Sequence, residues 1–459
     1  MTITEHLAEY ALSLAEGEIC RSVLDAARPF FLDALACLFL GIESDSVRMT
    51  IPYVKAYGGT EGCVFPGKEA LKTDAAHGAM LGAMSAHSSD FDDMSLSLNG
   101  HPSALLVPVL FSLGQKEGAS GEEMLRAYIA GVEIDAILGR SLSEIGYRKG
   151  LNTTCYLGVI GAAAAAGCLL HLDRDQLVNA MGIAINEASG FKANYGTPAK
   201  DAAIGMAALK AVTAAELARA GMKASADSLE GPFGLMTTLC GEAPAERVHR
   251  LIDEHESEFL SPGLIMKPYP SCRGNHSGID CLTAILRDHP FDAQELEEIV
   301  CHVDQAAFDT DRYQYPQTPG EAKFSLAFCL ACIILHGKIE IEDFLGEKLH
   351  DTAPLSLIPR VKIVCSPEEF PESHFGTRME VRLKNGTVYR ETVCFASGHP
   401  RRPMSKEAVQ QKLMHCLRHS FSREKAEELA ALLERFDSLG RAEQIIEYLY
   451  SDEKKAKSL

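Results

Sequence analysis

The sequence predicts a mainly α protein, in which a large all-helical domain made from both chain ends is interrupted by an inserted α+β lid domain. Three observations predict it. Apolar residues recur at three- and four-residue spacing, nearly without a break, up to about residue 235. Alternation of apolar and polar residues at period two is confined to 296–304 and 360–395. The helical period then returns in 406–415 and 423–435. A chain of 459 residues exceeds what one core usually serves. The boundaries follow as 1–262 and 398–459 for the helical domain and 263–397 for the lid.

In chain order, helices are predicted over 21–40, 73–86, 102–115, 121–141, 157–170, 175–188 and 201–220. Ser120 before Gly-Glu-Glu and Asp173 before Arg-Asp-Gln place acids in first turns, where the helix dipole favours them. Ala and Gly crowd 162–167 and 202–211, which predicts central helices with closely approaching axes. In the lid, helices are predicted over 275–287 and 322–334. Lys384-Asn385-Gly386-Thr387 reads as a hairpin turn between two strands. Cys329-x-x-Cys332 falls on one face of an apolar helix and reads as core packing. The last eight residues are polar and expected to fray.

Composition excludes several functions. A net charge of -19 argues against nucleic-acid binding, which needs a basic stripe. Fourteen cysteines without a signal-peptide pattern point to a reducing, cytoplasmic location. No apolar run reaches membrane length, so no membrane partner is expected.

The densest chemistry lies in His87-Ser88-Ser89-Asp90-Phe91-Asp92-Asp93 followed by Gly100-His101-Pro102-Ser103. Neighbouring carboxylates and imidazoles perturb one another's proton affinity, which makes such a cluster a natural acid/base site. The competing reading is a solvated helix end, since Asp is an ordinary capping residue. Four further segments stand out. Polar Asn152-Thr153-Thr154 opens an Ala-rich helix and offers either a carboxylate site or plain capping. Lys200 starts a largely uncharged helix, against the dipole, which suits a bound anion unless Asp201 neutralises it. Lys267, Arg273 and His276 follow a Pro-rich entry into a helix. Tyr315 lies in a second Pro-bounded loop that runs through Lys323 into a helix.

Together these segments resemble the MmgE/PrpD family over nearly the whole chain. The carriers are Asp90-Phe91-Asp92-Asp93, His101-Pro102-Ser103, Gly118-Ala119-Ser120-Gly121-Glu122-Glu123, the Leu-Gly-Val-Ile-Gly-Ala run at 157–162 and Gly196-Thr197-x-x-Lys200. Further ones are Leu229-Glu230-Gly231-Pro232-x-Gly234, Lys267-Pro268-Tyr269-Pro270-Ser271-Cys272, Ala322-Lys323-Phe324-Ser325-Leu326 and Gly398-His399-Pro400-Arg401-x-Pro403-Met404-Ser405. The resemblance implies a helical domain with an α+β lid, a homodimer and a site between the two domains. It also implies small di- and tricarboxylate substrates and no cofactor, neither iron-sulfur cluster nor metal. Asp90, His101, Lys200 and His276 match family active-site positions. Three positions depart from the pattern. Asn152 stands where lyase members usually carry histidine, Ala203 and Met206 replace a histidine and a cation, and Met94 replaces a threonine. Asparagine holds a carboxylate but takes no proton at neutral pH.

These readings converge on a cofactor-independent lyase, a dehydratase-type elimination α to a carboxylate of a small anionic polycarboxylate such as a 2-methylcitrate-like acid. His101 and Asp90 are assigned proton transfer, Lys200 and Arg273 the anion, and His276 a second acid/base role. Asn152, Tyr315 and Lys267 are assigned to substrate binding. The alternatives are an epimerase or racemase of an imino- or amino-dicarboxylate, a catalytically silent polycarboxylate-binding paralogue, and a Mg²⁺ hydrolase using His87, Asp90, Asp92 and Asp93. The catalytic account requires Asp90, His101, Lys200 and His276 to meet around one crevice.

Overall fold

A computed structural model describes residues 1–450 apart from 68, 242–244, 347 and 371–374. The tail expected to fray lies outside the described residues. The fold is mainly α and is built around two apolar cores. The first gathers residues from Ile3 to Leu264 with residues from Leu413 to Leu449 of the C-terminal helices. The second gathers residues from Ile265 to Leu383 and takes in Met94 from the other side. The chain returns to the first core where the Met266 amide donates to the Gly398 carbonyl at 3.2 Å.

At the centre of the first core, all residues of helix Gly158–Leu169 are buried. It packs against helices Gly121–Arg148 and Pro198–Arg219. Small residues make this possible, since a Cβ on Gly131 would lie 2.9 Å from the Ala165 Cβ. The predicted starts are capping boxes, Ser120 with Glu123 and Asp173 with Gln176. Helix Gly121–Arg148 runs past the predicted end at 141 and so carries Tyr147 to the cavity described below.

Several elements of the N-terminal part are not in the sequence reading, among them two helices and a hairpin. Helix Ile3–Glu16 starts at a Thr2/Glu5 capping box, a signal present in the sequence. Helix Asp45–Tyr57 contains Pro52, which weakens its pattern. Strands β1 (Cys63–Pro66) and β2 (Ala70–Thr73) form a small antiparallel hairpin in the stretch read as helical. A two-residue pair joins β3 (Met94–Ser95) to β4 (Leu264–Ile265), so the acidic segment is tied to the entry into the second core.

The second core rests on four strands, β5 (Leu296–Val303), β6 (Val361–Cys365), β7 (Thr377–Leu383) and β8 (Val388–Val393), in the order β6-β5-β7-β8. β5 and β6 are parallel, and the other pairs are antiparallel. The β7–β8 turn is the predicted Asn-Gly hairpin, with Gly386 at φ +86°. Helices Arg273–Asp288 and Leu326–His336 pack on one another beside the sheet. Cys329 and Cys332 are buried in the second of them, and all fourteen cysteines are unbridged.

Helix Lys406–Ser420 crosses back to the N-terminal helix Arg21–Leu40. There the buried Lys412 ammonium contacts Asp33 at 2.8 Å and the Phe91 carbonyl at 2.7 Å. Among the described residues, no helix is long and apolar enough to cross a membrane.

Candidate active site

A cavity opens where residues of both cores meet. His87, Asp90, Asn99, His101, Asn152, Thr154, Tyr195 and Lys200 come from the helical side, and Cys272, Arg273, Phe324 and Phe375 from the other.

The acidic segment is not a solvated helix end. Asp90, Asp92 and Asp93 are 2%, 0% and 1% exposed, and each has its own partners. Asp90 takes the left-handed region at φ +54°, where Asp is among the few side chains tolerated. Its Oδ1 accepts from the Lys267 ammonium at 2.5 Å and its Oδ2 from Lys200 at 3.1 Å. Burial pushes this carboxyl up, but the two ammonium groups prevail and hold it well below the usual range. Asp93 alone does helix-end work. It accepts from the Ser103 amide at 3.3 Å, in the first turn of helix Pro102–Glu117, and from the Ser103 hydroxyl. Burial raises it to about 8.

Asp92 serves the imidazoles. Its Oδ2 lies 2.8 Å from His87 Nδ1 and 3.2 Å from His101 Nδ1. His101 Nδ1 also lies 2.7 Å from the Asp93 carbonyl. A carbonyl only accepts, so Nδ1 carries the proton and Nε2 keeps the lone pair. Burial lowers the proton affinity of His101 more than Asp92 raises it. The result is a neutral, oriented imidazole on the cavity wall, its side chain 20% exposed.

Lys200 sits in the first turn of helix Pro198–Arg219 and pairs with Asp90 rather than with Asp201. Asp90 outweighs the desolvation that would lower it, so it remains an ammonium. Lys267 is wholly buried and bound to the Asp90 carboxylate and carbonyl, so it fixes Asp90 and does not line the cavity. Arg273 opens helix Arg273–Asp288 and lines the cavity at 4% exposure. Its Nε and Nη1 are buried with no hydrogen-bond partner among the described residues. Burial lowers it only to about 10, so it stays charged.

Asn152 lines the cavity without capping the short helix Thr153–Tyr156. The two threonine hydroxyls have partners outside this helix. Thr153 donates to the Asn99 carbonyl, and Thr154 accepts from the His101 amide at 3.0 Å. Both therefore hold the loop that presents His101.

Besides Lys267, two sequence assignments are not brought to the cavity. His276 is 0% exposed, its Nε2 lies 3.1 Å from the Ser271 carbonyl, and burial with the Arg273 charge keeps it neutral. Tyr315 is 58% exposed on the loop surface. Conversely, Asn99, Tyr147, Tyr195 and Cys272 line the cavity without having been singled out individually. Tyr195 and Cys272 lie inside segments the sequence marked. Lys323 also reaches across the two cores, donating to the Ser88 carbonyl at 2.6 Å.

The Mg²⁺ set read from the sequence does not converge. Asp90 spends both oxygens on ammonium groups and Asp93 is committed to Ser103. His87, Asp92 and His101 do place ligand atoms within 4.8 Å of one another, but His101 turns its Nδ1 proton toward this group.

Residues 5–248 match the MmgE/PrpD N-terminal domain and residues 269–438 the MmgE/PrpD C-terminal domain. The chain is 25% identical to a cis-aconitate decarboxylase of Mus musculus, over 95% of this chain and 91% of that protein. It is 24% identical to a cis-aconitate decarboxylase of Homo sapiens, over 95% and 92%. A cis-aconitate decarboxylase of Aspergillus terreus is 24% identical over 63% of this chain and 61% of its own.

Proposed function

The chain belongs to the MmgE/PrpD family, and from that membership we propose a cofactor-independent lyase that breaks a bond α to a carboxylate of a small di- or tricarboxylic acid. One observation carries this reading. Arg273 keeps two buried nitrogens unpaired on the wall of a cavity that also holds a neutral, oriented histidine. A buried cation without a partner is costly, and an incoming carboxylate removes that cost.

In this reading a substrate carboxylate docks on Arg273, with Lys200 and Asn152 fixing the remaining polar groups. Nε2 of His101 removes the proton from the carbon next to a carboxylate. Lys200 and Arg273 then stabilise the enediolate-like charge that develops. Asp90, held ionised, aims the Lys200 ammonium and keeps it charged. Lys267 acts one step further back, fixing Asp90. Elimination of water is the leading reaction. Decarboxylation is the second, favoured by relatives that carry the name cis-aconitate decarboxylase.

The test is incubation of the full chain in D₂O with short polycarboxylates, followed by proton NMR. An alkene signal supports elimination, and loss of a carboxyl group with bicarbonate release supports decarboxylation. Deuterium entering recovered acid without either product means epimerisation instead. Binding of the acids with no spectral change refutes the lyase and leaves a silent binding protein.

A further inference from the structure

Elimination needs an acid for the leaving hydroxyl as well as a base for the C–H proton. The groups placed so far supply only the base. Asp90 is held ionised, Arg273 keeps its protons at neutral pH, and His276 is sealed from the cavity. Four titratable groups on the wall have no role yet, His87, Tyr147, Tyr195 and Cys272, and burial raises the last three and so weakens them as acids. His87 lies in the last turn of helix Ala75–Ser88 and lines the cavity. Its Nδ1 is 2.8 Å from Asp92 Oδ2, the same oxygen that lies 3.2 Å from His101 Nδ1. The two ring centroids are 4.8 Å apart.

One carboxylate thus faces two imidazoles. Both rings present Nδ1 to the same carboxylate oxygen, so Asp92 can support a proton on either of them. Such a pair holds one base and one acid together. With Nδ1 of each ring turned to Asp92, Nε2 is the nitrogen left to each for chemistry.

Resting on the lyase reading, we propose that His87 is the general acid of this site, paired with His101 as base across a shared Asp92. Nε2 of His101 takes the substrate proton, and the C–H electron pair becomes the new double bond as the C–O bond breaks. The hydroxyl leaves with the Nε2 proton of His87, as water. His101 ends protonated and His87 neutral, and one proton passed between them through solvent resets the pair. In a decarboxylation the His87 proton goes to the carbon that CO₂ has left. The charged groups around the pair are Asp92 and Asp90, Lys200 from helix Pro198–Arg219, and Lys267 and Lys323 from the side of the second core. The Asp33–Lys412 pair lies behind Phe91.

The bland role for His87 is to hold Asp92 in place, and His87→Asn separates the two. The asparagine amide still donates as Nδ1–H does but carries no transferable proton. Turnover in His87→Asn is expected to fall about 100-fold or more, with KM within about threefold of wild type and the alkaline limb of the pH profile lost. Turnover near wild type with an intact profile overturns the proposal. A second measurement needs neither activity nor a variant: ¹⁵N-histidine NMR of the wild-type chain from pH 5 to 9. Two linked titration steps shared by His87 and His101 support the pair, and a His87 that never changes protonation state overturns it. If the wild-type chain converts no acid, the lyase reading fails, and the NMR titration still judges the pair.

Discussion

Replacing Asp90 by Asn leaves two buried ammonium groups without their counter-ion. Lys200 is 8% and Lys267 0% exposed, and they stand 3.1 Å and 2.5 Å from opposite oxygens of the carboxylate. Breaking a buried pair from one side costs about 3–5 kcal/mol, because the partner's desolvation is no longer offset. With two partners stranded, Asp90→Asn is expected at the top of that range, beyond the ordinary ~1 kcal/mol of a point substitution. The assay is urea unfolding at 25 °C of wild type, Asp90→Asn, Lys267→Met and the double variant. The double variant should lose clearly less than the sum of the singles, by about 1–3 kcal/mol, as for contacting charges. The pH course follows from the sign of the shift. The folded carboxyl lies well below its ordinary value, so its contribution is complete above the unfolded value near ~3.9. It fades only as pH falls toward the folded value. Asp90→Asn within about 1 kcal/mol of wild type, or strict additivity in the cycle, refutes the charge arrangement on which the site is built.

His101→Gln is expected to lower turnover by about 10² or more while leaving the fold intact, measured by NMR rates on whichever acid is converted. Arg273→Met should trade function for stability. Polycarboxylates should lose their stabilising effect in thermal unfolding, while the ligand-free chain holds or gains up to a few kcal/mol in urea, about what removing an uncompensated buried charge returns. Asp93, raised to about 8, binds a proton on folding. Stability should therefore fall as pH rises from the unfolded value near ~3.9 to about 8, at up to ~1.4 kcal/mol per unit from this group. In Asp93→Asn that slope should be absent, as read from unfolding midpoints at pH 5, 6 and 7.

Much of the architecture was legible because its signals are local. Period-two alternation confined to 296–304 and 360–395 marked the four-stranded sheet, and Asn385-Gly386 its hairpin. The Ala- and Gly-rich run gave the buried central helix. Helix Ile3–Glu16 carries a readable capping box, whereas β1 and β2 are too short for alternation to show against a helical background. In the site, the acidic segment, Lys200 and Arg273 were legible as misplaced charge. Partner choice was not. Whether Lys200 meets Asp201 beside it or Asp90 across the fold depends on tertiary geometry. So does the burial that seals His276 from the cavity while its helix neighbour Arg273 reaches it. The sequence leaves Thr153 and Thr154 open between capping and a carboxylate site, and their contacts with Asn99 and His101 are tertiary ones that no local signal shows.

Lys412 adds a constraint of timing. Every residue on the cavity wall emerges from the ribosome before it, yet the backbone beside Asp90 gains its anchor at Phe91 when this ammonium reaches the Phe91 carbonyl and Asp33. A nascent chain halted after β8 would own all its cavity-lining groups and still lack this strut. Nonsense mutations late in the reading frame should therefore abolish activity as surely as a lesion in the pocket, and selection should guard this helix accordingly.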